Sequence, residues 1–576
     1  MKRRASDPVF VEVAWSRLIA VVEQEAQALL RTAFTNIVRE SGDLSAGVFD
    51  LGGRMVAQAV TGTPGHINSM ALAVAHVLRA VPPATLVPGD VLATNDPWLA
   101  SGHLNDITVV TPVFHRGRLV GYTASTCHAM DIGGRGITVD ALDCYEEGFL
   151  IPPSRLHAAG QPQQVLDLLA ANVRAPEAVM GDLHAQVSGN AVGAHRLVEM
   201  LEEFDLADIE ELSAAILDRS EAGMRAAITA IPDGQYRHEM RLDGFEEPVV
   251  IRVRVEVRGD ALTVDYAGSS GASRRAINVV LNYTRAYTTY GVKCVVAPHV
   301  PNNAGSFRPV TITAPEGSLL HAVRPAPVAS RHLIGLFLPD AVMGALAHAV
   351  PERVIAESSS CLWTLDVRGR DRAGRPFREF MATGGGMGAR PDKDGLNATQ
   401  FPSTIRGVPA EVVETTSPLV IHRRALARDS GGPGRHRGGL GMVIEFGIET
   451  DEDWLFTASF ERARIPCQGM LGGHPGAPGR VETAEGRPLA SKAQHWLRPR
   501  ERVVLHTPGG GGYGPPAERD PARVAADVAA GRVSPEAATV YGSPPPATAE
   551  VRAGAAFAGG APHRPDPEAD RPLPCS

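Results

Sequence analysis

Two histidine–aspartate pairs lie close together in the sequence and have the residue types that bind metal ions. His103 and Asp106 are three residues apart, and so are His128 and Asp131. Neutral imidazole and carboxylate together suit a divalent metal such as zinc, manganese or iron. A single pair of this kind is more often a surface hydrogen bond, so the metal interpretation depends on whether the fold brings the two pairs together.

The segment between the two pairs predicts a β-hairpin. Two apolar runs, at 107–114 and 119–124, flank a His-Arg-Gly-Arg break. A glycine-containing break of this length between β-rich runs is typical of a hairpin. A hairpin brings its two ends together, so we expect Asp106 and His128 at its open end, with His103 turning into the same space. The sequence leaves the hairpin register open.

The composition is that of an ordinary globular protein with several domains. The chain has 576 residues, of which 44% are hydrophobic and 21% charged, and it is rich in glycine (60) and proline (45). One hydrophobic core rarely extends over so long a chain, so roughly two to four domains are expected. The net charge of −8, without a long basic run, argues against nucleic acid or a membrane as the main partner.

The cysteines and the N-terminal segment favour a cytoplasmic protein. The six cysteines are scattered without a CxxC pair, which argues against a zinc finger and against a disulfide framework. The basic residues 1–4 are followed by Asp7-Pro8 and an amphipathic pattern, not by the apolar core of a signal peptide. No apolar run is long enough to span a bilayer.

Hydrophobic periodicity predicts an α+β fold with several domains, in which antiparallel or mixed sheets pack with helices and the C-terminal half is rich in β-structure. Residues 1–155 are expected to form an N-terminal α+β metal-binding region, and residues 156–235 a helical region. An α/β region follows over 236–355, and a β-rich region with glycine turns over 356–542. The proline-rich residues 543–576 are expected to be a disordered tail.

Individual elements can be predicted from the same patterns. Asp7-Pro8 is a typical helix start, and apolar residues then recur at helical spacing as far as Ala33. Strict alternation from Val249 to Val257 predicts a strand. Further helices are predicted at about 70–80, 284–296, 334–350 and 521–529.

Three glycine-rich segments, at 383–390, 430–439 and 507–514, look at first like phosphate-binding loops. The first is followed by Pro391 and a turn, whereas a dinucleotide loop needs a helix there, and the other two lack the Gly-Lys-Ser/Thr ending of a P-loop. We interpret all three as turns that need positive φ and expect no ATP site in this chain. Cys127 is not favoured as a nucleophile, because its neighbour His128 points to the opposite face of a strand.

A series of short motifs runs through residues 8–542 in order. In this series the chain resembles the hydantoinase B family, which includes hydantoinase B subunits, the B-like half of 5-oxoprolinase and related subunits of acetone and acetophenone carboxylases. The motifs are SGDLS (41–45), GHINSM (65–70), GDVLATNDPW (89–98), GHLNDITVVTPVF (102–114), CHAMDIGG (127–134), EEGFLIPP (146–153), GDLHAQ (181–186), GSFRPVTITAPEGSLL (305–320), GGGMGARPDKDG (384–395), DSGGPGRHRGGLG (429–441) and TPGGGGYG (507–514).

The resemblance implies one half of a two-part enzyme. In this family an A-type partner binds ATP and activates a cyclic amide or a ketone, and the B-type chain carries a metal and completes the reaction. The implied metal ligands are His103, Asp106 and His128, which the hairpin also brings together, and Asp43 is a candidate fourth ligand. Asp131 is expected beside the ligands, where it holds an imidazole through its other nitrogen.

The function implied by the resemblance is that of a B subunit of an ATP-dependent cyclic amidohydrolase of the hydantoinase or 5-oxoprolinase type. Such a chain acts in a hetero-oligomer with a hydantoinase A-type subunit, which binds the ATP. His66 and Asp131 are candidate proton-transfer groups, and a structural role for each stays open. Two alternatives also stay open: a subunit of an ATP-dependent ketone carboxylase, and a non-catalytic scaffold for the A subunit.

The chain departs from the family pattern at two places that concern the site. Asn105 stands where relatives often have a proline, which could loosen the loop that carries His103. Arg237-His238 and Asp243 stand where relatives often have a more acidic turn, so the resemblance assigns no role to Asp243.

Overall fold

The helices begin at signals that the sequence provides. Asp7 caps the first helix by accepting a hydrogen bond from Val9 N at 3.0 Å, and Pro8 occupies the first turn. The structure is a computed structural model that describes residues 7–245 and 247–542, so the predicted tail at 543–576 lies outside the described residues. The helices are α1 (Pro8–Thr32), α2 (Asn36–Arg39), α3 (Pro64–Ala80), α4 (Gln164–Asn172), α5 (Pro176–Glu203), α6 (Glu210–Ile228), α7 (Leu281–Val296), α8 (Ala304–Phe307), α9 (His332–Gly335), α10 (Leu338–Leu346), α11 (Ala410–Thr416) and α12 (Pro521–Ala529).

A seven-stranded antiparallel sheet organises the N-terminal part of the chain. Its strands lie in the spatial order β2-β1-β5-β4-β3-β6-β7. The sheet therefore continues past residue 155, where the sequence predicts a regional boundary. The strands are β1 (Leu44–Phe49), β2 (Met55–Gln58), β3 (Val91–Thr94), β4 (Asp106–His115), β5 (Arg118–His128), β6 (Ser154–Ala158) and β7 (Gln161–Pro162).

The predicted hairpin is β4–β5, and its register positions the candidate site. Arg116 and Gly117 form the tip with φ of 50° and 77°, as a two-residue type I′ turn requires. Asp106 pairs with His128 at the open end. Strand β1 lies next to β5, and the carbonyl of Asp43 accepts a hydrogen bond from His128 N at 3.2 Å. The residues Asp43, Asp106 and His128 therefore meet at one end of the sheet.

The remaining sheets among the described residues have four strands each. Their orders are β11-β10-β9-β8, β13-β12-β16-β18 and β14-β15-β19-β17, and the β10–β11 pair is parallel. In β9 the predicted alternation is present, because Ile251 and Val253 are buried while Arg252 between them is exposed. The strands are β8 (Gly234–Leu242), β9 (Val249–Arg258), β10 (Ala261–Asp265), β11 (Val310–Thr313), β12 (Trp363–Arg370), β13 (Pro376–Thr383), β14 (Leu419–Leu426), β15 (Met442–Ile448), β16 (Trp454–Ser459), β17 (Arg480–Thr483), β18 (Lys492–Leu497) and β19 (Val503–His506).

Helices cover both faces of the seven-stranded sheet. One face buries Leu44 and Val48 against α1 and α5, and the other buries Phe49 and Tyr122 against α3. Helix α3 also packs against α7, which in turn packs against α10. The predicted multidomain α+β class, with antiparallel and mixed sheets, is confirmed. No helix in the described part of the chain combines the length and the apolar character needed to cross a membrane.

Two predicted helices differ from those observed. Helix α3 begins at Pro64, six residues before the predicted start, so His66 lies in its first turn. The single helix predicted over 334–350 was wrong, because the chain forms α9 and then α10. Pro339 in the first turn of α10 has no N–H to continue a helix from α9.

The three glycine-rich segments form one layer in which backbones touch. Gly510 N donates to Gly439 O at 3.0 Å, and Gly386 N donates to Pro508 O at 2.8 Å. A Cβ on Gly386 would lie 1.8 Å from Gly439 O. Of the glycines in these described segments, Gly514 alone has positive φ. The interpretation as positive-φ turns was therefore wrong, since close backbone approach is what requires glycine here.

Candidate metal centre

The open end of the hairpin brings His103, Asp106 and His128 into one buried cluster. Asp106 Oδ1 lies 2.7 Å from His103 Nε2 and 3.0 Å from His128 Nδ1. One ligand atom from each residue lies within 4.8 Å of the others. The three side chains are at most 5% exposed. A single ion could contact all three residues.

The loop before β4 is fixed by asparagine side chains. Asn95 Nδ2 donates to Leu104 O at 2.7 Å, and Asn105 Nδ2 donates to Ala129 O at 2.9 Å. The backbone of Asn105 adds a bond, accepting from Ala129 N at 2.7 Å. Asn105 thus ties the loop to the end of β5. The expectation that this departure from the family pattern loosens the loop was wrong.

His66 and Asp43 complete the cluster from neighbouring elements. His66, at the start of α3, places Nε2 at 2.9 Å from Asp106 Oδ2. Its Nδ1 lies 3.6 Å from Asp43 Oδ1. The structure therefore gathers Asp43, His66, His103, Asp106 and His128 at one point, although they lie in four separate stretches of sequence.

Asp131 has partners other than the predicted imidazole. Its Oδ1 accepts hydrogen bonds from Arg174 Nη1 and Arg378 Nη1, both at 2.8 Å, and from Gly133 N at 3.2 Å. Its Oδ2 accepts from Arg174 N. Because two guanidinium groups and two amides use this carboxylate, it does not hold an imidazole as the sequence suggested. The structure places Asp131 in an arginine network beside the cluster.

Sequence reasoning missed Arg331 and His332. Arg331 Nη2 donates to Asp106 Oδ2 at 2.5 Å, and Nη1 lies 3.2 Å from His103 Nδ1. His332 lines the same cavity, with Nε2 at 3.4 Å from Thr364 Oγ1. Arg331 immediately precedes α9 and His332 is its first residue, more than 200 residues after the hairpin. The only sequence signal is an adjacent Arg-His pair, which carries no spacing information.

The electrostatics of the cluster suit a cation. Burial and the nearby Arg331 lower the pKa of His103 to about 4, so its imidazole is neutral, as a metal ligand must be. Burial alone would raise the pKa of Asp106, but the surrounding imidazoles and Arg331 hold it well below its usual value. Burial lowers the pKa of His66, but the carboxylates of Asp106 and Asp43 raise it overall.

Three imidazole nitrogens in the cluster are buried without a hydrogen-bond partner. They are Nδ1 of His66, Nε2 of His103 and Nε2 of His128. Although His103 Nε2 lies 2.7 Å from Asp106 Oδ1, the two atoms are not aligned as a hydrogen bond. Buried polar atoms normally have partners. His128 Nδ1 is hydrogen-bonded to Asp106 Oδ1 at 3.0 Å, whereas the three unpartnered ring nitrogens remain available as ligands of a metal ion.

Two other residues noted in the sequence have structural surroundings. Burial raises the pKa of the Cys127 thiol well above its ordinary value, so it is present as the protonated thiol and is a poor nucleophile. Asp243 is buried and accepts hydrogen bonds from Ala463 N and Ile465 N, both at 2.7 Å. It fixes a loop and is not part of the cluster.

The profile of one protein family matches most of the chain. The family is described as Hydantoinase B/oxoprolinase, and the match covers residues 7–516. The chain belongs to this family. The resemblance stated from the motifs is therefore confirmed for the hydantoinase B/oxoprolinase family as a whole.

Relatives and solved structures agree with this assignment. Caprolactamase subunit beta from Pseudomonas jessenii is 31% identical over 567 residues, which cover 93% of this chain and 96% of that one. The structure of ATP-dependent caprolactamase from Pseudomonas jessenii matches with a TM-score of 0.85 at 30% identity, over 93% of this chain and 96% of that one. The 5-oxoprolinase PfmaA of Pestalotiopsis fici is 28% identical over 545 residues, covering 88% of this chain and 41% of that protein.

A more distant solved structure shares the fold. Nucleotide-free acetone carboxylase matches with a TM-score of 0.85 at 20% identity, covering 93% of this chain and 80% of that chain. At this identity the likeness shows a common fold, and by itself it does not distinguish hydrolysis from carboxylation.

Proposed function

We propose that this chain is the B-type subunit of an ATP-dependent enzyme that hydrolyses a cyclic amide, and that its cluster holds one divalent metal. The observation that carries the proposal is the convergence of His103, Asp106 and His128 within 4.8 Å, with buried imidazole nitrogens that have no partner. Membership of the hydantoinase B/oxoprolinase family supports the amide-hydrolase part. Zinc, manganese and iron all suit the donor set.

The ligands in this proposal are His103, Asp106 and His128, and Asp43 is the candidate fourth. A divalent metal bound there would polarise a carbonyl or phosphoryl oxygen and lower the pKa of water. Arg331 ties Oδ2 of Asp106, so that the carboxylate keeps one orientation toward the imidazoles. Ile137 and Phe380 add apolar surface to the lining of the same cavity.

His66 is the proposed proton-transfer group. Its two ring nitrogens face two different carboxylates, with Nε2 toward Asp106 and Nδ1 toward Asp43. An imidazole in this position can hold a proton on one nitrogen and exchange it through the other. His66 also lies at the start of α3, so the helix fixes its position relative to the cluster.

ATP is proposed to bind the partner subunit, not this chain. The glycine-rich segments use their amides on one another, since Gly386 N and Gly510 N each donate to a backbone carbonyl. Amides that are already bonded cannot cradle phosphate as a P-loop does. The caprolactamase relative is itself named as a subunit. We therefore propose a hetero-oligomer with a hydantoinase A-type subunit that activates the cyclic amide with ATP.

The test is an assay of the assembled A–B complex with ATP and a panel of hydantoins, 5-oxoproline and simple lactams, with and without bicarbonate. We expect ring opening that does not need bicarbonate and that is lost with Asp106→Asn but kept with His195→Ala, an exposed histidine of α5. Product formation that requires bicarbonate would instead favour a ketone carboxylase. Full activity of the Asp106→Asn complex would favour a non-catalytic scaffold.

A further inference from the structure

The cavity at the cluster is too small for the proposed substrate. Its volume is about 40 Å³, which is room for an ion and one or two waters but not for a five-membered ring. A second cavity of about 540 Å³ lies beside it, a volume typical of small-molecule sites. We call this second space the side cavity. If the chain acts on a cyclic amide, the ring does not fit inside the cluster cavity, whereas the side cavity has the volume to hold it.

Three segments of the chain form a wall common to both cavities. In the first turn of α3, His66 lines the cluster cavity and Ile67 the side cavity. In α7, Tyr287 lines the cluster cavity and Tyr290 the side cavity. In the third segment, residues 403–405, Ser403 and Ile405 line the cluster cavity and Thr404 lines the side cavity. The two cavities are therefore adjacent, and a wall one residue thick separates them at these three segments.

The lining of the side cavity combines apolar surface with fixed amides. Trp15 and Ile19 of α1 supply apolar surface. Asn302 Nδ2 donates to Gln58 Oε1 at 2.6 Å and to Asn68 Oδ1 at 2.7 Å, so three side-chain amides are held together on one wall. An apolar ring that carries an amide matches this combination.

Lys293 gives the side cavity a positive charge. The side chain is buried, with 8% of the residue exposed, and Nζ donates to Val300 O at 2.6 Å. A second carbonyl, of Pro301, lies at 3.5 Å. No carboxylate of the described residues lies within salt-bridge distance of Nζ, although buried ammonium groups usually have an anionic partner. Burial lowers the pKa of Lys293 to about 8, and an anionic ligand would favour the charged form.

We propose that the side cavity binds a cyclic amide that carries a carboxylate, and that Lys293 selects this substrate by pairing with the carboxylate. The identity of the ring rests on the proposed function. The lysine has three N–H donors, of which the carbonyls of Val300 and Pro301 use two, so one donor remains for a ligand. Neutral lactams would fill the apolar part of the cavity without this contact.

The test is calorimetric binding to the purified chain, without ATP, of 5-oxoproline and of 2-pyrrolidinone, which is the same ring without the carboxylate. We expect roughly tenfold to hundredfold tighter binding of 5-oxoproline. In Lys293→Gln, which keeps a donor for Val300 O, the two ligands should bind equally. Lys393→Met, an exposed lysine beside Asp392, removes a charge elsewhere and should leave the preference intact. Equal binding by the wild type, or an unchanged preference in Lys293→Gln, overturns the proposal.

A second variant tests the place of binding independently of charge. Ile19→Trp fills the side cavity from α1 and should weaken both ligands at least tenfold; unchanged binding would overturn the proposal even if Lys293→Gln fails to fold. The result is separable from the proposed function. Ring opening by the A–B complex without this selectivity would overturn the side-cavity proposal alone. Selective binding without ring opening would overturn the proposed reaction alone.

Discussion

Arg331 donates from Nη2 to Asp106 Oδ2 at 2.5 Å, although 225 residues separate the two in the chain. Its Nε reaches the carbonyl of Ser101, and its guanidinium lies 4.0 Å from the centroid of the Tyr283 ring. One oxygen of Asp106 is therefore fixed by a positive charge, while the other faces His103 and His128. The pair joins the segment before α9 to the hairpin that carries the cluster.

Removing this arginine should destabilise the chain strongly. Both partners are buried, and Arg331→Met would leave the Asp106 carboxylate without its fixed cation, which typically costs about 3–5 kcal/mol. Urea unfolding in the presence of a chelator measures the effect without a metal to compensate. Arg372→Met, from an exposed pair with Glu449, should change stability little. Equal midpoints for the two variants would show that the Arg331–Asp106 pair does not hold the fold.

Glu147 should control metal binding although it does not touch the cluster. Its Oε1 accepts hydrogen bonds from Val328 N and Ala329 N, and the carbonyl of Ala329 lies 3.1 Å from His103 Nδ1. Glu147 thus holds the segment whose Ala329 carbonyl contacts Nδ1 of His103, and the other ring nitrogen, Nε2, faces Asp106. Glu147→Ala should therefore weaken metal affinity by roughly 10–100-fold.

Titration of the purified chain with zinc measures this affinity. Burial raises the pKa of Glu147 to about 8, so its carboxyl is mostly neutral at pH 7 and Glu147→Gln should retain near wild-type affinity. The neighbouring Glu146→Ala serves as a control, because Glu146 bonds Arg135 near the surface. Wild-type affinity in Glu147→Ala would show that the Ala329 carbonyl does not position His103.

Gly386 should not tolerate a side chain. An alanine Cβ there would lie 1.8 Å from Gly439 O and 2.6 Å from Gly510 N, so two other segments would have to move. We expect Gly386→Ala to lower the free energy of unfolding by more than about 3 kcal/mol. Gly407→Ala is the control, because nothing lies within 4 Å of its added Cβ. Calorimetry gives the melting temperature of each variant. If Gly386→Ala melted at the same temperature as the wild type, close backbone contact would not be the reason for glycine at this position.

Glu25 should make the stability of the chain depend on pH. It is fully buried in α1, neither carboxylate oxygen has a hydrogen-bond partner, and burial raises its pKa well above the ordinary value of 4.5. The folded state therefore holds this proton more tightly than the unfolded state. The contribution of Glu25 is fully present below pH 4.5 and is lost as the pH rises toward the raised pKa.

Glu25→Gln removes the ionisable carboxyl group. As the pH rises above 4.5, the free energy of unfolding of this variant should increase relative to that of the wild type by about 1.4 kcal/mol per pH unit. Urea unfolding of both chains over a series of pH values measures the slope. Glu12→Gln, at an exposed position on the same helix, is the control for the substitution itself. A difference between Glu25→Gln and wild type that does not vary with pH would contradict a protonated, buried Glu25.

The hairpin and its chemistry could be predicted because they depend on local rules. A two-residue turn determines which residues face each other, so Asp106 and His128 meet once β4 and β5 pair. Thr63 and Pro64 also mark the start of α3 in the sequence. The prediction used the apolar spacing that begins at Met70 and therefore placed the helix start six residues too late. Local signals thus gave the elements and left some of their ends uncertain.

The rest of the site depends on contacts between distant segments. Arg331 and His332 reach the cluster through the packing of α7, α9 and the first sheet, which no spacing in the sequence records. Asp131 follows His128 at the same interval as Asp106 follows His103, yet Arg174 and Arg378 bind it. The glycine-rich layer is similar, because the need for glycine arises where separate backbones meet and not from the φ of each residue.

The most direct test is the metal content of the purified chain, measured by mass spectrometry beside His103→Ala, Asp106→Ala and the control His195→Ala. The cluster predicts about one zinc, manganese or iron per chain in wild type and in His195→Ala, and none in the two cluster variants, with the fold retained by circular dichroism. Wild-type protein that stays free of metal after reconstitution with each of the three ions would contradict the account. So would metal that remains bound in both cluster variants.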